Sequence, residues 1–222
     1  MKWGEPVLTT VLDKKSATQV LTEMTINQPK KRVGIMGGTF NPIHNGHLIM
    51  ADQVGTQLGL DKVLFMPNAT PPHVDLKKAI DGRTRARLIR RAITGNPLFD
   101  LETLELQRGG KSYSYNTLLA LTQLHPDVEY YFIIGADEVE YLPTWYRIDD
   151  LLQLTTFVAV KRKGHEQLSR YPVIWVDSPM IEISSTDIRR RIKYGQSIRY
   201  LVPEAVEDYI KEHKLYQDDK KD

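Results

Sequence analysis

The chain reads as an α/β protein of the Rossmann-like, doubly wound kind: a mainly parallel sheet with helices on both faces and a small helical C-terminal part. Three observations predict it. Short apolar runs of strand length at residues 32–36, 62–67, 129–134, 156–160 and 173–176 are separated by segments of helical period. The first two runs and the segment between them fit within about 35 residues, the size of a βαβ unit. The first run also ends in Gly37-Gly38 and leads into a helix, an arrangement that binds anions at the helix N-terminus.

Residues 31–50, KRVGIMGGTFNPIHNGHLIM, carry most of the chemistry. The apolar run is a buried strand, and Gly37 and Gly38 are read as breaking it into a turn that lets backbone approach a ligand. A helix is expected from Leu48 to Leu58, stopped by Gly59. His44 and His47, three residues apart on its first turn, point the same way. They sit beside backbone N–H groups without intrahelical partners, which makes an anion site with phosphate as the natural occupant.

The other elements follow in order. The second strand enters the turn-rich loop 68–73, NATPPH. Residues 84–94 form a basic helix with an inner stripe of Ala86, Leu88, Ile89, Ala92 and Ile93, its arginines read as a solvated face. Residues 99–106 alternate apolar with acidic or polar residues and are read as a strand. A helix over 114–124 follows Gly109-Gly110, and the next strand runs into Gly135-Ala136-Asp137, where a glycine and a carboxylate suit a nucleotide sugar or a metal-bound phosphate. Trp145 reads as a core anchor or as a stacking platform for a flat ring. At residues 183–189, ISSTDIR, Ser184, Ser185 and Thr186 place hydroxyls where a helix begins and Arg189 on its first turn. Alone this is an N-cap; beside the histidine motif it reads as a second phosphate cradle.

Composition sets bounds. A net charge of +2 over 222 residues gives no general attraction to nucleic acid or membrane. The absence of cysteine removes disulfides, thiolate metal sites and a cysteine nucleophile, and suits a reducing cytoplasm. No apolar run reaches the roughly 18 residues of a membrane helix, and the N-terminus lacks a signal-peptide core. Residues 1–30 are expected to form a separate extension, with a short helix near 16–24 and either a floppy or a docking character; residues 31–216 form the α/β domain and 217–222 a charged tail. A homo-oligomer is compatible with the sequence but not required by it.

The stretch GGTFNPIHNGHL at 37–48 resembles the H-x-G-H signature of the nucleotidyltransferase superfamily, in the form found in small adenylyltransferases. ISSTDIR resembles their I-S-S/A-T-x-x-R segment, KSYSYNTL at 111–118 their S-Y-T-x-D-T-L stretch, and PNATPPH, IIGADE and LVPEAVEDYI further family stretches. Asn41 and Asn116 stand where the family more often has Asp, and Val74 where it commonly has Lys or Arg. Together these segments, from about Val33 to Tyr216, are most similar to the bacterial nicotinate-nucleotide adenylyltransferases. The resemblance implies direct AMP transfer from ATP to nicotinate mononucleotide in NAD biosynthesis, with Mg²⁺ held mainly by the ATP phosphates and no protein metal cage. It assigns His44, His47 and Arg189 to catalysis. ATP is expected to meet Gly37, Gly38, Thr39, Phe40, His44, Gly46, His47, Gly135, Asp137, Ser185, Thr186 and Arg189. The pyridine nucleotide is expected to meet Asn116, Thr117, Asp137 and Trp145, the indole now stacking on the ring. Another phosphate acceptor, such as nicotinamide mononucleotide or phosphopantetheine, or nucleotide binding without turnover, are the rival readings.

Overall fold

A computed structural model describes residues 29–70, 79–161, 169–179 and 181–217. The chain divides between Lys30 and Lys31, and the fold described is that of the second unit. The stretch Pro71-Pro72-His73 and Val74, singled out in the sequence, lie outside the described residues.

Six strands among the described residues form one parallel sheet: β1 Lys31–Gly38, β2 Lys62–Pro67, β3 Phe99–Leu101, β4 Val128–Gly135, β5 Thr155–Val160 and β6 Val173–Val176. Their spatial order is β3-β2-β1-β4-β5-β6, every neighbouring pair parallel. The helices are α1 Asn45–Gln57, α2 Gly82–Ile93, α3 Leu104–Arg108, α4 Ser114–Leu124, α5 Ala136–Val139, α6 Ile148–Leu151, α7 Ser185–Lys193 and α8 Glu204–Glu212.

Period-2 alternation along the central strands sends side chains to two separate cores. Tyr131 and Ile133 of β4 join Val158 and Val160 of β5 on one face, under Ala51 and Val54 of α1, Leu88 and Ile89 of α2, Ile188 of α7 and Val206 and Ile210 of α8. Tyr130, Phe132 and Ile134 join Val33, Ile35, Phe157 and Ala159 on the other, under Leu118 and Leu121 of α4 and Leu151 of α6. The sheet is thus covered on both sides, as the near-continuous apolar strands require.

The chain builds outward from β1 through β2 to β3, then returns to lay β4 on β1's other edge. Such a reversal opens a crevice at the C-terminal ends of the two central strands. Gly38 ends β1 and Gly135 ends β4, so both glycine motifs reach this crevice.

Two element boundaries depart furthest from expectation. Residues 99–106 hold a three-residue strand followed by α3, the apolar positions switching phase from Phe99 and Leu101 to Leu104 and Leu106 where the strand ends. Helix α1 begins at Asn45, three residues before Leu48, since His44 serves as its N-cap with extended backbone.

Candidate active site

Gly37 and Gly38 do not break β1; they are its last two residues, paired with Met66 and Pro67 of β2. What they supply is room. A Cβ on Gly37 would lie 3.2 Å from the Phe132 ring, and one on Gly38 3.2 Å from Phe40. The turn comes afterwards, where Phe40 takes a left-handed φ of 47° and Asn41-Pro42 is a cis peptide.

The turn delivers His44 to the α1 N-cap and His47 to its third residue. Their rings stack, centroids 3.6 Å apart and 23° from parallel. The His44 backbone N–H donates to Nδ1 of His47 across 3.2 Å, closing the helix end on itself. An Nδ1 that accepts leaves the ring proton on Nε2, which makes His47 a neutral imidazole with a donor at its far nitrogen. His47 keeps some exposed surface, but its ring is enclosed between His44 and the edge of Phe40, 5.0 Å away. Burial, then the neighbouring His44, push its pKa well below the ordinary histidine value. Gly46 makes the stack possible, because a Cβ there would meet His44 Nδ1 at 3.1 Å.

Helix α7 comes to the same place. Ser184 is its N-cap, accepting from the Asp187 N–H at 3.1 Å. Ser185 Oγ donates to the Pro42 carbonyl at 2.8 Å, and Arg189 Nη1 to the Asn41 carbonyl at 2.8 Å. The start of α7 is therefore tied to the turn that starts α1.

Both helix starts open on one cavity of about 910 Å³, toward the upper end of the range of about 300–1,000 Å³ for ligand clefts. Of the residues singled out in the sequence, Gly37, Gly38, Thr39, His44, Gly46, His47, Gly135, Asp137, Trp145 and Ser185 line it. Trp145 stands partly buried with its ring edge-on to Phe132 and Phe157, at 5.6 and 5.8 Å, so core and cavity share it.

Five others stand back from the wall. Phe40 is in the core against Phe65, and its neighbour Thr39 lines the cavity in its place. Arg189 is turned onto the Asn41 carbonyl, and its Nη2 donates to Thr186 Oγ1 at 3.2 Å, which occupies both side chains with each other. Thr117 is fully buried, its hydroxyl donating to Glu105 Oε1 at 2.8 Å and accepting from Arg108 Nη2 at 2.9 Å. Asn116 faces solvent on the outer side of α4.

The cytidylyltransferase-like family model matches residues 35–191. A Lactiplantibacillus plantarum protein named "Probable nicotinate-nucleotide adenylyltransferase" is 62% identical over 203 residues, covering 91% of this chain and 96% of its own. An Enterococcus faecalis protein of the same name is 55% identical over 86% of this chain and 88% of its own. The chain belongs to the cytidylyltransferase-like family and, within it, to the nicotinate-nucleotide adenylyltransferases. The fold agrees. The Plasmodium falciparum nicotinic acid mononucleotide adenylyltransferase complexed with APC superposes with a TM-score of 0.70 at 19% identity, over 84% of this chain and 97% of that one. The same enzyme complexed with NaAD gives 0.71.

In this family member two site features were not predicted. Arg85, grouped with the solvated arginines of α2, is 3% exposed. Its position three and four residues before Leu88 and Ile89 put it on the apolar stripe, a signal legible in the spacing. Glu105 lines the cavity and is also buried, accepting from the hydroxyls of Thr117 and Ser112. Burial pushes its carboxyl above the usual range, against the opposing pull of those hydroxyls and of Arg108. Nothing in the local sequence marks Glu105. Among the described residues no helix is long and apolar enough to cross a membrane.

Proposed function

We propose that this protein transfers AMP from ATP to nicotinate mononucleotide, releasing pyrophosphate and deamido-NAD for NAD biosynthesis. The observation that carries the reading is the convergence of two helix N-termini, bearing His44 and His47 on one side and Ser184 and Ser185 on the other, on a single cavity. The positive ends of two helices on two sides suit a polyphosphate spanning them. The names of its close relatives point to the same reaction.

An oxygen of the acceptor phosphate attacks the α-phosphorus while the bond to the β-bridging oxygen breaks, and pyrophosphate leaves on the opposite side. A phosphate oxygen is already nucleophilic at neutral pH, so the protein's work is to position the reactants and to stabilise charge. His47 donates from Nε2 to an α-phosphoryl oxygen as charge grows there, with His44 beside it. Ser185 and the α7 N-terminus receive the β- and γ-phosphates, and Thr186 and Arg189 join them by turning from their present partners. The adenosine lies over Gly37-Gly38 and Gly135, with Asp137 toward a ribose or the metal. The nicotinate ring stacks on Trp145, near Tyr113 and Ser114 at the start of α4, while Asn116 and Thr117 stand back from the cavity.

Mg²⁺ would enter with the nucleotide and neutralise phosphate charge in the transition state. Among the described residues no cluster of three or more His, Asp or Glu forms a metal cage, and Asp137 on the cavity wall fits an ion held chiefly by phosphate and water. Residues 31–216 form the transferase domain, with residues 1–30 an extension and 217–222 a tail; a cytoplasmic location accompanies this reading.

The test is an acceptor panel of nicotinate mononucleotide, nicotinamide mononucleotide and phosphopantetheine, each with ATP and Mg²⁺, resolved by product mass. Deamido-NAD as the main product upholds the proposal. A preference for either other acceptor, or ATP binding without any product, overturns it.

A further inference from the structure

The turn after β1 and the segment after β2 are held by donors that take their carbonyl oxygens. Arg85, in the first turn of α2, donates from Nη1 to the Thr39 carbonyl and from Nη2 to the Asn68 carbonyl, both at 2.7 Å. Its Nε donates to the Ile80 carbonyl at 3.1 Å. Thr39 and Asn68 both line the cavity. Beyond Phe40, Ser185 donates to the Pro42 carbonyl and Arg189 to the Asn41 carbonyl, the latter a contact that phosphate would replace.

Carbonyl oxygens carry partial negative charge, so a loop that must face a polyphosphate has to turn them elsewhere. Peptide units are planar and trans, so fixing the Thr39 carbonyl toward Arg85 sends the Phe40 N–H the opposite way. A guanidinium suits this task, since its rigid fork reaches several acceptors at once and stays charged when buried. Asp81, which acts on Arg85 electrostatically, accepts from the Thr84 N–H at 2.9 Å instead of bonding to the guanidinium.

Resting on the reading of this cavity as a polyphosphate site, we propose that Arg85 is a positioning residue. It draws the Thr39 and Asn68 carbonyls away from the cavity, so that this wall meets the nucleotide's phosphates without their partial negative charge and with a net positive underside. Arg85 itself does not touch the ligand.

The test compares the wild-type chain with Arg85→Lys and Arg85→Met. The readouts are thermal melting, KM and kcat for both substrates, and calorimetric titration with inorganic tripolyphosphate. Releasing buried carbonyls costs enough to weaken binding about tenfold. Both variants should therefore lose about tenfold in tripolyphosphate affinity and raise KM for ATP about tenfold, with KM for the acceptor changed less than about threefold. Lysine keeps the charge but not the fork, so Arg85→Lys should fall near Arg85→Met; it also carries the test if the methionine variant does not fold. Variants that melt lower yet bind tripolyphosphate as wild type does would make Arg85 a structural strut and overturn the proposal, as would equal KM rises for both substrates. Should the wild-type chain form no product with any acceptor, the transfer reaction is refuted, and the tripolyphosphate titration still decides the role of Arg85.

Discussion

His44 and His47 are stacked ring on ring at 3.6 Å, and the His44 backbone N–H points at Nδ1 of its neighbour. One hydrogen bond thus settles three things: it caps α1, fixes the His47 tautomer and leaves Nε2 as the donor His47 offers the cavity. His47→Ala should lower kcat by about 10² or more, since an oxyanion donor is worth about 2.7–4 kcal/mol. Steady-state rates at saturating substrate measure it, and near wild-type turnover would remove His47 from the chemistry.

The same stack makes stability depend on pH. The folded pKa of His47 lies below its unfolded value, so the unfolded chain binds more protons and stability rises with pH through that window. The contribution is complete above the ordinary histidine value of about 6.5 and is lost as pH falls through the depressed folded pKa. Denaturant titrations between pH 5 and 7.5 should show a steeper loss toward acid for wild type than for His47→Gln, by up to about 1.4 kcal/mol per pH unit. Parallel curves would contradict a buried neutral His47.

Gly46 allows activity and stability to be separated. The Cβ of Gly46→Ala would lie 3.1 Å from His44 Nδ1 and push that ring off its partner. Alanine is the better helix former by about 1 kcal/mol, so melting should hold or rise while kcat falls about tenfold or more. An active variant of unchanged kcat would show that the stack is not needed for turnover.

Trp145→Ala should raise KM for the pyridine nucleotide well above any rise for ATP. It should also lower the melting temperature, because the edge contacts to Phe132 and Phe157 are each worth about 0.5–1.5 kcal/mol. Trp145→Phe should restore much of the first effect. Equal KM changes for the two substrates would make the indole structural alone.

Glu105 behaves oppositely to His47. Its folded pKa is raised, so its contribution to stability is present below the unfolded value of 4.5 and is lost as pH rises through the folded one. Glu105→Gln should therefore gain on wild type, in relative stability, between pH 4 and 7. A constant offset across that range would show a carboxyl with no shift.

The sequence by itself determined five of the six strands and most of the helices, the strand expected over 99–106 proving to be three residues and a helix. Apolar runs of strand length and helical period are set by near neighbours in the chain, and these gave Ser114–Leu124 and Val173–Val176 to the residue. The two phosphate-type motifs were equally legible, because each is local. Tertiary structure alone decided what the motif residues do. Arg85 is buried because its acceptors Thr39 and Asn68 lie 46 and 17 residues away, and Arg189 reaches Asn41 across 148. Local spacing could put Arg85 on an apolar stripe but could not supply the carbonyls that make a buried guanidinium tolerable. The sheet's reversal between β1 and β4 brings those distant groups to one edge, and only there do turn, histidines and second helix become one cavity.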